Sequence, residues 1–460
     1  MAEHWPVVDS LLGGTASMRK AGKAYLPQQP REDDADYKYR LSTATLFPAF
    51  SRTVGVMAGK PFSKQVVLSE DTPARLQELA KNIDGEGRSL HVFAADLMEE
   101  AVSAGFGGIL VDFTKTEGQA RTQADEKAMG ARPYWVHVRH QAILGWRTHK
   151  VAGITMLSQL RIAETAEVPD GEFGTKFVNR VRVLEPGLWR VYEQNSSGWA
   201  ELPEQGGTTT INVIPFVPIY GRRLAFMVGF PPLLDLANLN VKHWQHQSTQ
   251  DNSAEFARRR LLVFIGLDET NDLTASSSEA IKLPLQGDAK IIQGSAESVT
   301  VGRAELDALE GQMIQTGAEL LTKQPGDRSA TEAANDAEAN KSELQRIVET
   351  FEDSLDQALQ LTAMWLGLPD GGSVSLFKDF AANSLSEATA QLLLSLQQGG
   401  IITKETLIRE QQRRGILSPD IDPETELDAV AEEGPKLGAI TDEDIDPATG
   451  LSRKPEPAAA

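Results

Sequence analysis

The sequence predicts an α+β fold built from several units along 460 residues. Three patterns predict it. Apolar residues recur at i, i+3, i+4 and i+7 from Leu344 to Leu366, the stripe of an amphipathic helix. Apolar and polar residues alternate between Arg132 and Tyr220, the signature of antiparallel strands. Between these regions, a helical stretch runs out, a short β-containing interval follows, and a second helical stretch returns.

In chain order, residues 1–60 read as helical and loosely polar, with turns at Gly13-Gly14, Pro27 and Pro30 and a break at Pro48. A short helix is expected over 72–79, with Thr72 as N-cap and Pro73 at the first helical position. Asp84-Gly-Glu-Gly is a turn into an apolar helix from Leu90 to Ala104, which Gly105 closes; Ile109-Leu-Val is a buried strand ending at Asp112. Strands follow at Tyr134–Val138, Ile154–Ala163 and Phe177–Leu184. Trp189-Arg-Val-Tyr answers the last of these across the Pro186-Gly187 turn. Two prolines keep Ile214–Gly221 extended.

After Pro231-Pro232 a helix runs towards Phe256, Leu261–Gly266 is a strand, and Lys282-Leu-Pro-Leu and Lys290-Ile-Ile continue the β interval. The returning helix spans Ala304 to Leu321. A long helix is expected from about Ser329 to Leu366, roughly 57 Å at 1.5 Å per residue, stopped by Gly367 and Pro369. The strand Ser373–Phe377 comes next. Ser384 and Glu387 form a capping box, and Thr403 caps a last helix to Gly415. Between Asp420 and Asp446 stand eleven acidic residues and one Lys, Lys436, so the end of the chain reads as a disordered acidic tail.

Composition narrows the function. With 45 Lys+Arg against 65 Asp+Glu, the net charge is −20, whereas a protein built to grip duplex DNA carries a basic excess. The absence of cysteine excludes disulfides, thiolate zinc sites, iron–sulfur clusters and cysteine nucleophiles. No run approaches the ~18 apolar residues of a membrane span. Met1-Ala-Glu-His-Trp-Pro has neither the basic nor the apolar region of a signal peptide. The expectation is a soluble chain of a reducing compartment, without membrane insertion.

The motifs that resemble chemistry each fail at a required position. Gly55-Val-Met-Ala-Gly-Lys-Pro is one residue short of a phosphate-binding loop and puts Pro61 where Ser or Thr must hold magnesium, so it reads as a turn. Gly85-Glu-Gly-Arg and Gly105-Phe-Gly-Gly lack the third glycine of a dinucleotide fingerprint and read as hinges. Asp442-Glu-Asp-Ile-Asp begins like a calcium loop, but Pro447 replaces its turn glycine and Arg453 its bidentate Glu. His243 and His246 share a helical face without a third ligand beside them, which suits packing or an interface better than a metal. There is no G-x-S-x-G and no H-E-x-x-H. The reading is a non-enzyme: no catalytic residue, no cofactor and no metal. Two cationic groups remain. Arg258, Arg259 and Arg260 suit either rim salt bridges between subunits or a phosphate-facing role; Lys323 and Arg328 suit either DNA contact or a solvated loop.

Several stretches, in order, resemble tailed-phage portal proteins, the group catalogued as a phage domain of unknown function (DUF4055). They are Arg52-Thr-Val-Gly-Val-Met-Ala-Gly-Lys-Pro-Phe, Asn82-Ile-Asp-Gly-Glu-Gly-Arg-Ser-Leu with Ala104-Gly-Phe-Gly-Gly-Ile-Leu-Val-Asp, and Arg132-Pro-Tyr-Trp-Val with Ile143-Leu-Gly-Trp-Arg. Ile214-Pro-Phe-Val-Pro-Ile-Tyr-Gly and Pro231-Pro-Leu-Leu-Asp-Leu-Ala-Asn-Leu-Asn-Val-Lys-His-Trp complete the set, which spans about Tyr37 to Leu417. Phe113 after Asp112, where the family has Pro, and the basic run before Leu261 depart from the pattern.

The resemblance implies a portal fold with a β-rich wing, a two-helix stem, a small β-containing clip, a long spine helix and a helical crown. The parts fall at 1–60 (N-terminal helical segment of the wing), 61–230 (wing), 231–260 (stem helix out), 261–303 (clip) and 304–321 (stem helix back). They continue at 322–330 (channel loop), 329–368 (spine), 369–417 (wing return strand and crown) and 418–460 (tail). It further implies a ring, usually of twelve subunits, at one capsid vertex, the conduit for packaging and ejection of double-stranded DNA without sequence-specific binding. The implied partners are the terminase large subunit, head-completion or adaptor and tail proteins, major capsid protein and scaffold. The implied location is the virion, with assembly in the host cytoplasm. The alternatives are another phage head–tail structural protein or, further off, a phage-encoded enzyme.

Overall fold

The computed structural model describes residues 1–114, 130–258, 261–265, 288–292, 296–319, 341–378, 380, 397, 403–413, 417 and 421–432. The chain divides into two compact units, residues 1–378 and 379–460; the described residues mix helices and strands, as an α+β fold does.

The first unit opens with α1 (Trp5–Leu12), α2 (Gly14–Ala21), α3 (Asp34–Thr43) and α4 (Ala49–Gly59). Asp33 caps α3 by accepting the amides of Ala35 and Asp36. Gly55 and Gly59 lie inside α4, so the stretch read as a turn is helical, its amides committed to the helix ladder rather than to a phosphate cradle. After β1 (Val67–Leu68), helix α5 (Ala74–Leu79) starts one residue later than expected. Its N-cap is Pro73, in an extended conformation, and the Thr72 hydroxyl bonds Ser69 Oγ at 3.0 Å instead of capping. Helix α6 (Leu90–Ser103) is capped by Ser89, whose hydroxyl accepts the Val92 amide, and its buried face includes Phe93, Leu97 and Met98.

Two antiparallel sheets carry the middle of the unit. Strands β2 (Phe106–Phe113) and β3 (Pro133–Val138) begin one of them. The other is a meander of β4 (Ile143–Val151), β5 (Ile154–Asp170), β6 (Gly174–Glu185), β7 (Leu188–Asn195) and β8 (Gly198–Glu201), with β9 (Gly207–Thr208) also pairing β7. Strand β10 (Phe216–Tyr220) completes the first sheet in the order β10-β2-β3. Pro218 is tolerated there because β10 is an edge strand, with one side of its backbone free of the ladder. Phe106, Leu110 and Phe216 from the small sheet and Leu157, Leu160, Ile162 and Leu184 from the meander share one hydrophobic core. Burying each such side chain contributes about 1.5–3 kcal/mol. A half-buried ionic cluster pins the sheets together: Arg182 of β6 bonds Asp112 of β2 at 2.6 Å and pairs with Glu164 of β5 at 2.7 Å, and Tyr134 of β3 reaches Asp112 at 3.3 Å. Burial there pushes the Tyr134 hydroxyl up to about 12 and raises the Glu164 carboxyl despite its arginine.

A short hairpin, β11 (Arg222–Ala225) and β12 (Val228–Phe230), leads to α7 (Leu234–Arg258). Three glycines meet where it joins the sheet. The Gly221 amide bonds the Gly105 carbonyl at 3.0 Å. A Cβ on Gly105 would overlap the Phe230 carbonyl and the Pro231 nitrogen, one on Gly221 the Ala101 carbonyl, and one on Gly229 the Gly105 carbonyl.

Beyond α7 lie β13 (Leu261–Ile265), β14 (Asp288–Ile292), α8 (Ala296–Glu319), α9 (Glu343–Leu366) and β15 (Val374–Ser375), the last pairing β1. The α8 helix begins eight residues before the expected Ala304, taking 296–303 from the β-containing interval; Gln250 of α7 bonds the Val299 carbonyl in its first turn at 2.7 Å. The α9 helix begins at Glu343, not 329. Ser342 is extended and forms a capping box, its hydroxyl accepting from the Gln345 amide and Gln345 Oε1 from the Ser342 amide at 2.8 Å. The helix is therefore about 36 Å long. Its buried face, Leu344, Ile347, Val348, Phe351, Leu355, Leu359 and Leu366, lies over the small sheet, where Trp365 Nε1 bonds the Val111 carbonyl and Trp135 Nε1 bonds Thr362. Gly367, at φ 67°, ends it as expected.

The N-terminus is tied into this body. The buried His140 imidazole stands between Asp9 of α1 (3.2 Å) and Glu100 of α6, whose carboxylate also accepts the His140 amide at 2.8 Å. Burial alone would lower the His140 pKa, but the two carboxylates raise it to about 9. The Glu100 carboxyl, although burial works to raise it, is held low by the same histidine.

In the second unit, Thr403 caps α10 (Lys404–Arg413) by accepting the Thr406 amide at 3.1 Å. The expected disordered tail contains a helix, α11 (Pro423–Glu432). Asp422 accepts the Thr425 amide as its N-cap, Pro423 opens it, and Glu424 and Glu426 face the positive helix end, so local capping outweighs the low hydrophobicity. The capping box at Ser384 and Glu387, the loop 322–330, and residues 433–460 with their Asp442 stretch lie outside the described residues.

Candidate functional site: an outgoing and returning helix pair

Helices α7 and α8 run antiparallel, because residue numbers rise along one as they fall along the other. Leu236 packs beside Gly317, His243 Nε2 reaches Glu310 Oε1 at 3.3 Å, His246 Nδ1 approaches Glu305 at 3.8 Å, and Gln250 meets Val299 and Gly302. The helices are about 38 and 36 Å long. The far ends pass into β13 and β14, which pair antiparallel from Leu261↔Ile292 to Ile265↔Asp288.

The two ends of the pair differ in burial. At the near end, Leu236, Ala237, Asn240, His243 and Trp244 are buried. Asn240 bridges to α4, accepting the Phe50 amide and donating to the Phe47 carbonyl, both at 2.9 Å. Ser248 receives Arg40 of α3, whose guanidinium makes a two-pronged pair with Glu32 (2.6 and 2.7 Å). On α8, Leu306, Leu309 and Met313 supply the buried seam. Past Ser248, α7 has no buried residue, and Phe256, Val301, Ile265 and Ile292 are exposed. The pair carries eight acidic residues against three basic ones.

The structure places the residues singled out from the sequence as follows. His243 and His246 face carboxylates of α8, so they serve helix packing. Among the described residues no group of three or more His, Asp or Glu could hold a metal ion, and no helix is long and apolar enough to cross a membrane. Arg258 ends α7 on the exposed stretch; Arg259 and Arg260, and likewise Lys323 and Arg328, lie outside the described residues. Sequence reasoning missed Gln250, Glu305 and Glu310 as the pair's polar ties, because polar residues on a helix read as solvated until the facing helix is known. It also stopped β5 at Ala163. The alternation Ala166, Val168 against Thr165, Glu167 was the readable signal that the strand continues.

Comparison with known proteins adds the following. The family described as a domain of unknown function (DUF4055) matches residues 232–366, which take in α7, α8 and α9. No curated protein matches the chain. Among solved structures, a chain from the virion of a native gene transfer agent particle is similar at 13% identity and a TM-score of 0.37, with 86% of this chain and 98% of that chain covered. One from the neck of the native particle, computed with C12 symmetry, has 12% identity, a TM-score of 0.36, and coverage of 87% and 99%. One from the neck of the empty particle, computed with C6 symmetry, has 12% identity, a TM-score of 0.38, and coverage of 79% and 90%. At such scores these likenesses carry no argument about this chain.

Proposed function

We propose that the chain is a structural subunit of a phage-like head-to-tail assembly and, more narrowly, its portal. In this reading twelve copies form a ring at one capsid vertex. Duplex DNA is packaged and ejected through it, terminase docks on it first, and head-completion and tail proteins follow. The observation that carries the reading is the helix pair: anchored at one end and tipped by a β-ladder, it exposes apolar side chains along a half that has no core of its own. Such a surface suits burial against copies of itself. The match of residues 232–366 to DUF4055 falls on the same segment and supports the reading.

Charge fits the same role. A channel wall with eight carboxylates against three cations offers phosphates no counterion-release gain, so duplex slides instead of sticking. Lys323 and Arg328, in the segment between α8 and α9, would supply a narrow cationic belt that steadies it. Arg258, Arg259 and Arg260 would lie at the junction of stem and clip, against neighbouring subunits.

The test is the mass of the purified protein by light scattering, with negative-stain images. A particle near 600 kDa, about twelve times 50.0 kDa, with a central hole is expected. A strict monomer at every concentration, or ATP hydrolysis retained by the pure protein, would refute the ring.

A further inference from the structure

Strands β5 and β6 outgrow their sheet. Strand β4 pairs β5 no further than Ile162, and β7 pairs β6 no further than Arg180. From Thr165↔Asn179 to Asp170↔Gly174 the two continue alone for six pairs, about 20 Å of two-stranded ribbon. Its root is fixed by the Arg182–Glu164–Asp112 cluster. A lone ribbon is marginal in water and has two open edges. One face, Ala166, Val168 and Val178, prolongs the row Leu160, Ile162 and Leu184 that is buried in the core. Phe177 is 73% exposed, and Phe173, at the turn, 94%. Around them stand Glu167, Asp170 and Glu172 against one cation, Lys176.

The same subunit carries a complementary surface. On β11, Arg222, Arg223 and Leu224 are all exposed, and neither arginine has an ion-pair partner among the described residues. Arg223 stacks over Tyr220, 5.2 Å from its ring centroid. Both help line a cleft of about 210 Å³ whose apolar walls include Met156, Ile214 and Phe226, with Asp353 as its other charged residue. An apolar cavity of ~150 Å³ accepts a benzene ring, so this cleft has room for a phenyl group.

We propose that the β5–β6 ribbon of one subunit docks on the next, with Phe173 in this cleft and the acidic arm along Arg222 and Arg223. Donor and acceptor are different patches of one chain, so the contact is head-to-tail and closes into a ring where the rotation allows. The inference rests on the ring reading and names the surfaces that join the subunits.

The chain has no cysteine, which makes the test clean. Full-length protein carrying Phe173→Cys and Gln357→Cys, the latter an exposed residue lining the cleft, is treated with a short bismaleimide. A ladder of covalent multimers is expected on a denaturing gel from the double variant, dimers from a mixture of the two single variants, and nothing from either alone. Separately, Glu172→Arg weakens assembly about tenfold, and Arg223→Glu in the same chain restores it. Wild-type rings alongside a double-cysteine variant that gives no ladder, with no response to the charge changes, overturn the docking and leave the ring reading standing. A monomeric wild type together with a double-cysteine variant that does not crosslink overturns both.

Discussion

The staple that holds the N-terminal helix makes stability depend on pH in a direction fixed by its chemistry. His140 is pinned between Asp9 and Glu100, and its pKa rises from the ordinary 6.5 to about 9. Below pH 6.5 folded and unfolded chains both hold the proton, and the full contribution is present. Between pH 6.5 and about 9 the unfolded chain releases it while the folded chain keeps it, so stability falls as pH rises. At 1.36 kcal/mol per unit the loss across that window is about 3 kcal/mol. The Glu100 shift is the same interaction seen from its partner and is not added. Nearby His137, with Arg139 and Asp96 around it, is pushed down chiefly by burial, so its own dependence falls below the window and has the opposite sign. Urea unfolding followed by tryptophan fluorescence across the window reads the loss directly, with His140→Gln as the control whose slope vanishes. A wild-type midpoint that does not move with pH, or a variant that keeps the wild-type slope, would refute the assignment of charge to this histidine.

Gly105→Ala, at φ 72° and with backbone where its Cβ must go, should cost about 3 kcal/mol or more by thermal melting, from left-handed strain together with overpacking. Arg40→Ala leaves the partly buried Glu32 carboxylate with only the Gln29 amide as partner and should cost about 2–3 kcal/mol in urea unfolding, whereas Arg40→Met with Glu32→Leu should recover most of it. Lys323→Ala with Arg328→Ala should leave ring mass unchanged and reduce DNA packaged or retained per particle; packaging at wild-type level would remove those residues from the channel.

The parts of the fold that were legible in the sequence are those whose signal is local. The α9 stripe and the β6–β7 turn at Pro186-Gly187 each depend on residues within a few positions, and each stands where the pattern put it. Starts and lengths failed where a non-local partner decided them. Helix α8 gains its first turns from Gln250 on α7; the start of α9 at Glu343 is instead local, set by the Ser342–Gln345 capping box that the continuous helical pattern conceals. Helix α11 was hidden by composition, since a run of acids suggests disorder unless Asp422 and Pro423 are read as cap and first turn. Of the candidate site, the order helix, β interval, helix was readable. Its antiparallel ties at His243 and Gln250 were not, because they exist only once the two helices face each other.

At Gly105, Gly221 and Gly229 three crossings of the chain touch backbone to backbone, immediately before α7 begins. Side chains between packed elements act as soft spacers, since they can change rotamer and absorb a displacement. This joint is mostly peptide, with only the Pro232 ring and the Phe106 Cβ beside it. A displacement at the root of the helix pair is therefore passed to the small sheet mainly from backbone to backbone, as at the fulcrum of a lever. Any residue larger than glycine there would do more than destabilise the fold: it would lift the root of the lever and lengthen the path by which the tip and the sheet sense each other.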